Sequence, residues 1–169
     1  MTTYVGLLRA VNLGGDSTLP MADLRRLCEE AGFTNVRTYI ASGNVVFESA
    51  LSEAKAKAAL EKALAAYAKK PIGVMVRSAK EMAAVLGGNP FPDAPPSKTV
   101  AIFLDKAPPK DTLQKIAGAK SEEVRLGTRE IYALYPEGIG RSKLKIPAAV
   151  EGTARNMNTV KKLAELAGA

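Results

Sequence analysis

The chain has 169 residues, 47% of them apolar and 24% charged, which suits one domain or two small subdomains and excludes a disordered tract. It has no histidine and a single cysteine, Cys28, which removes the usual general base, nearly every zinc site and any internal disulfide. The formal net charge of +7 favours anionic partners such as nucleic acid, phosphorylated metabolites or a membrane surface, and a surplus kept for solubility explains it equally well.

No run approaches the ~20 apolar residues of a membrane span. Met1-Thr2-Thr3 leads straight into a strand, without the basic region and apolar core of a secretory signal. The expected compartment is therefore the cytoplasm, where a lone thiol stays reduced. No metal site is expected and no cofactor is specified, because Asp and Glu form no tight cluster.

Residues Thr3 to Val11 are apolar on both parities and predict a central strand covered on both faces. A polar loop from Asn12 to Leu19 follows, and Pro20 suits a first helical turn. Met21, Leu24, Cys28 and Ala31 recur at helical spacing up to Gly32, which places Cys28 on a buried stripe. Two strands, Asn35 to Ile40 and Asn44 to Glu48, are joined by the turn Ala41-Ser42-Gly43. A helix from Ser52 to Lys69 turns Ala56, Leu60, Ala63, Leu64 and Tyr67 inward, with Glu53 and Lys57 as an i,i+4 pair. On it Lys55, Lys62 and Lys69 form a stripe, the ordinary pattern of a solvated face. Ile72 to Arg77 is a fourth strand, and a short helix runs from Ala79 to Leu86.

This β-α-β-β-α-β order is that of a ferredoxin-like unit. The proline-rich connection around Pro90, Pro92, Pro95 and Pro96 sets the expected boundary, with subdomains at 1–92 and 93–169. The second half then reads as a strand from Thr99 to Leu104 and a short helix from Pro109 to Ala117. A hairpin through Gly127-Thr128 and a last helix carrying Val160, Leu163, Ala164 and Ala167 follow. The expected fold class is α+β, two ferredoxin-like βαββα subdomains in tandem with a closing C-terminal helix.

Three short polar stretches at element ends are the candidate site. The first, Arg9 to Gly15, offers a fixed charge, an amide at Asn12 and approachable backbone N–H groups at Gly14 and Gly15. It has neither the spacing of a P-loop nor that of a dinucleotide fingerprint, and a strand-to-helix turn needing two glycines explains it as well. The second, Ser42-Gly43-Asn44, is by itself a hairpin turn. Its continuation faintly echoes an RNA-recognition strand, without the aromatic pair. The third runs from Thr153 to Thr159, where Arg155, Asn156, Asn158 and Thr159 exceed what capping one helix requires. Arg155 is accordingly expected to serve an anion and to be dispensable for folding. A fourth stretch, Gly138 to Lys143, is a weaker phosphate candidate that reads more simply as a basic loop.

Taken together, Arg-x-x-Asn-x-Gly-Gly, Pro-Met-Ala-Asp-Leu, Thr-Tyr-x-x-Ser-Gly-Asn-Val-Val-Phe and Gly-Thr-x-Arg-Asn-x-Asn-Thr-Val resemble the bacterial family called domain of unknown function 1697. The resemblance covers nearly the whole chain and implies ferredoxin-like subdomains without an established activity. It carries over Arg9, Asn12, Gly14, Gly15, Ser42, Gly43, Asn44, Arg155, Asn156, Asn158 and Thr159 as the recurrent polar positions. Ala10 stands where the family usually has glycine, and Met157 where it usually has tryptophan. The expected role is binding of an anionic, phosphate-bearing small ligand. A nucleic-acid-binding module and a histidine-independent transferase on a nucleotide-like substrate are the alternatives.

Overall fold

The computed structural model describes residues 1–9, 19–39 and 43–168. Among them are eight strands in two four-stranded antiparallel sheets and four α-helices, an α+β architecture. The chain divides into two compact units, one of Met1–Ala83 with Leu163–Ala169, the other of Ala84–Lys162.

In the first unit β1 (Thr2–Leu8), β2 (Thr34–Tyr39), β3 (Asn44–Ser49) and β4 (Val74–Ser78) lie in the order β2-β3-β1-β4. Tyr4, Leu8, Val45, Phe47, Val74 and Val76 share one face of that sheet. Helices α1 (Met21–Glu30) and α2 (Glu53–Ala68) cover this face with Leu24, Leu27 and Cys28 from α1 and Ala56, Leu60 and Leu64 from α2. Phe33 stacks on Phe47 with ring centroids 4.1 Å apart, so the two helices close over an aromatic centre. Val5, Leu7, Val46 and Met75, on the opposite face, are buried as well, as the two-parity apolar run of β1 predicts.

Polar ties fix the helices. Ser52 accepts from the Lys55 N–H as the N-cap of α2, and the Tyr67 hydroxyl donates to Asp23 Oδ2 at 2.5 Å, joining α2 to α1. Lys57 Nζ reaches Glu61 Oε2 at 2.8 Å and Val74 O at 2.6 Å, while the Val74 N–H donates to Glu61 Oε2 at 3.0 Å. These bonds hold the start of β4 against the helix.

In the second unit β5 (Thr99–Phe103), β6 (Glu123–Leu126), β7 (Glu130–Leu134) and β8 (Thr153–Asn156) follow the same plan, β6-β7-β5-β8. The expected hairpin is present, and the Gly127 N–H donates to Glu130 O at 2.7 Å. The core face holds Val100, Ile102, Val124, Ile131 and Ala133, flanked by Leu104 and Tyr135.

Two expectations for this half are corrected. The helix expected over 109–117 is a single 3-10 turn, Thr112–Lys115, because Pro108 and Pro109 before it and Gly118 after it leave no room for repeated i→i−4 bonds. The approach to the last helix contains a strand, β8, paired with β5 from Val100↔Asn156 to Phe103↔Thr153. The cover of this sheet is therefore built around the 3-10 turns Thr112–Lys115 and Pro147–Ala149, with Ile116, Leu144, Ala148 and Ala149 packed partly buried on the core. Two further helices, α3 (Ala79–Gly87) and α4 (Met157–Leu166), match the expected positions. The Tyr132 hydroxyl donates to Val85 O at 2.8 Å and ties the last turn of α3 to β7.

Candidate functional site

At one end of the first sheet, β1 finishes between the starts of β3 and β4. The Leu8 N–H donates to Gly43 O and the Arg9 N–H to Gly73 O, each at 2.8 Å. Gly43 takes φ +81°, a left-handed conformation that suits glycine and lets the hairpin deliver Asn44 opposite Leu7. Asn44 is fully buried and its Nδ2 donates to Tyr39 O at 3.0 Å across the hairpin, so part of its hydrogen-bonding capacity clamps the turn. Arg9 is half-buried beside Gly73. Asn12, Gly14, Gly15 and Ser42 lie outside the described residues. The described ends of the first two polar stretches, Arg9 and Gly43, lie at the ends of adjacent strands.

The third stretch belongs to the other unit. Asn156 directly precedes α4 and its Oδ1 accepts from the Thr159 N–H at 3.0 Å, a helix cap of the expected kind. Asn158 is exposed, whereas Thr159 is buried. Arg155 differs from expectation. It lies in β8 opposite Ala101, only 8% exposed, and its Nη1 donates to Thr153 Oγ1 at 2.7 Å and to Ala154 O at 2.9 Å. Burial lowers its pKa to about 10, which leaves it cationic at neutral pH. A buried, hydrogen-bonded guanidinium points instead to a part in the fold, which the stability of Arg155→Ala tests.

Its counterpart in the first unit, Arg77, escaped sequence reasoning. Arg77 on β4 faces Val5 of β1 as Arg155 on β8 faces Ala101 of β5, and its Nη1 donates to the preceding carbonyl, Val76 O, at 3.1 Å. Superposing the two repeats by element order was the signal that could have found it.

A model of the family described as "Protein of unknown function (DUF1697)" matches residues 1–132. The chain belongs to the DUF1697 family. Its match includes the Arg9 and Gly43 strand ends and stops before the Thr153 to Thr159 stretch. Over the whole length the chain is similar to the conserved bacterial protein SP0830 from Streptococcus pneumoniae, with 25% sequence identity and a TM-score of 0.81, covering 98% of each chain. No curated protein matches the chain.

The remaining features of this DUF1697 chain read as structure. Gly138 to Lys143 contains the three-residue 3-10 turn Ile139–Arg141, and the Ser142 hydroxyl donates to Glu122 Oε2 at 2.6 Å while accepting from the Leu144 N–H. Cys28 is fully buried, and desolvation, with Glu29 adding to it, pushes its thiol up to about 12. Among the described residues no three His, Cys, Asp or Glu side chains group as a metal site. Among them, too, no helix is long and apolar enough to cross a membrane.

Proposed function

We propose that the chain binds a small anionic, phosphate-bearing ligand at the Arg9–Gly43 end of the first sheet. The observation that carries this reading is the 2.8 Å bond from Leu8 N to Gly43 O, which brings the end of β1 before Arg9 against Gly43. Arg9 would supply the charge, Asn12 and Ser42 directed hydrogen bonds, and Gly14, Gly15 and Gly43 backbone access, the combination that suits phosphate oxygens. Asn44 holds the turn that presents them. Asn156, Asn158 and Thr159 remain candidates in the second unit, with Arg155 as their support. The strand orders favour a ferredoxin-like reading of both units, and a buried single thiol accords with a reducing cytoplasm.

A nucleic-acid-binding module is the second reading, favoured by the exposure of Lys55 and Lys62 on α2 and of Lys69 at its C-cap. Calorimetric titration with pyrophosphate, AMP and a 12-mer single-stranded DNA separates the two. The small-ligand reading expects saturable binding of pyrophosphate or AMP that survives replacement of all three lysines by glutamine. Tight DNA binding that the triple change weakens at every sequence, with a flattened salt dependence, would establish the module instead.

A further inference from the structure

We propose that the second unit carries a separate pocket for a small carboxylate with an apolar body. The turn-built cover of the second sheet leaves a cavity of about 240 Å³. Its apolar wall is Val100, Ala154 and Ile139, and its polar groups come from Ser97, Lys98, Tyr135 and Asn156. Strand pairing assembles it, since Val100 faces Asn156 and the Tyr135 N–H donates to Lys98 O at 2.8 Å. Three segments distant in sequence thus meet on the face of one sheet.

The donor inventory sets the ligand class. Lys98 Nζ makes one bond, to Pro136 O at 3.0 Å, and has no carboxylate partner among the described residues, so two of its N–H groups are unspent. Asn156 is held through Oδ1 by the Thr159 N–H, and its Nδ2 donates to no described residue. Tyr135 is only 8% exposed, and its hydroxyl, which reaches solvent, has no hydrogen-bond partner among the described residues. Burial, with Glu122 nearby adding to it, raises the pKa of that hydroxyl and keeps it a donor at neutral pH. Among the described residues no acidic side chain lines the cavity.

One cation with several neutral donors matches the single charge of a carboxylate better than a phosphate dianion, which would call for more positive charge. The apolar wall needs a body to cover it, and the volume falls below the roughly 300 Å³ where drug-sized sites begin. A short acid with an aromatic or branched tail meets both conditions.

Amide chemical-shift mapping of the full chain with 3-phenylpropionate and 4-methylpentanoate, beside their uncharged amides, tests the site. Saturable shifts are expected at Lys98, Val100, Tyr135, Ala154 and Asn156 with at least one acid, and its amide should bind at least about tenfold more weakly. Lys98→Met should close that gap while the spectrum stays folded, and Tyr135→Phe should weaken binding a few-fold. Arg9→Ala should leave these shifts unchanged, which separates this site from the phosphate-binding reading. Absence of saturable shifts with both acids, equal affinity for acid and amide, or indifference to Lys98→Met would each overturn the proposal.

Discussion

The two units share a strand order and place a buried arginine at the same point of the last strand, but they cover their sheets differently. The first unit uses helices of 10 and 16 residues, α1 and α2. The second uses 3-10 turns of three or four residues. The difference follows local chain chemistry. Residues 53–68 are rich in alanine, leucine, lysine and glutamate, and contain no proline or glycine, so a helix propagates through them. The equivalent segments of the second unit are punctuated by Pro108, Pro109, Gly118, Pro136, Gly138, Gly140 and Pro147, and no helix does. Strand patterning therefore selects the topology, while helix propensity decides what lies on top. The turn-covered sheet is also the one that carries the Lys98 pocket.

The largest effect expected from breaking this comparison is at Gly118, whose φ is +73° and where an added Cβ would fall 2.1 Å from Lys143 O. Gly118→Ala combines left-handed strain with a backbone clash, so it should cost about 3–4 kcal/mol. Hydrogen exchange should show the loss of protection in the second unit's strands. A cost below about 1 kcal/mol would mean that the turn cover yields freely.

Next come matched cover residues. Leu60→Ala on α2 should cost about 3 kcal/mol in denaturant unfolding, since the side chain is fully buried. Ile116→Ala beside the 3-10 turn should cost about 1 kcal/mol, because it is only partly buried. Equal costs would erase the distinction between the covers. Arg77→Ala and Arg155→Ala should each cost about 2 kcal/mol, the scale of hydrogen bonds to a charged group. A gap between them well above about 1 kcal/mol would show that the repeated position does different work in the two units.

The smallest effect concerns alkaline pH. Cys28 is raised from 9.0 to about 12 in the folded first unit. Its contribution is thus complete below pH 9 and lost as pH rises towards 12, because the unfolded chain releases the proton first. Tyr132 in the second unit, raised from 10.0 to about 12 by burial, has the same sign over a narrower window. Stability measured from pH 8 to 11 should fall, and Cys28→Ala should flatten the part of the slope that begins near pH 9. An unchanged slope would show that the thiol does not contribute.

Periodicity made much of the first unit legible. The two-parity run of β1, the helical stripe ending in Cys28 and the hairpin glycine at 43 each leave a local mark, and the structure places them accordingly. The short stretch from Pro109 to Ala117 misled because two prolines at its start and a glycine after it stop the helix expected there. Strand β8 was missed because Thr-Ala-Arg-Asn has no apolar alternation, and only pairing with β5 makes it a strand. Arg77 and Arg155 acquire their shared setting through tertiary register. The Lys98, Tyr135 and Asn156 pocket draws on three segments that nothing local connects. In the candidate site, Arg9 and Gly43 stood out as polar groups at element ends, but their adjacency is a property of the sheet.

The most direct test of the phosphate-binding claim is calorimetry of pyrophosphate with wild type and Arg9→Ala under identical salt. The account predicts one saturable site in the wild type and at least about tenfold weaker binding in the variant, the scale of one hydrogen bond to a charged group. Affinity unchanged by Arg9→Ala, in a variant that unfolds at the same denaturant concentration as wild type, would contradict it.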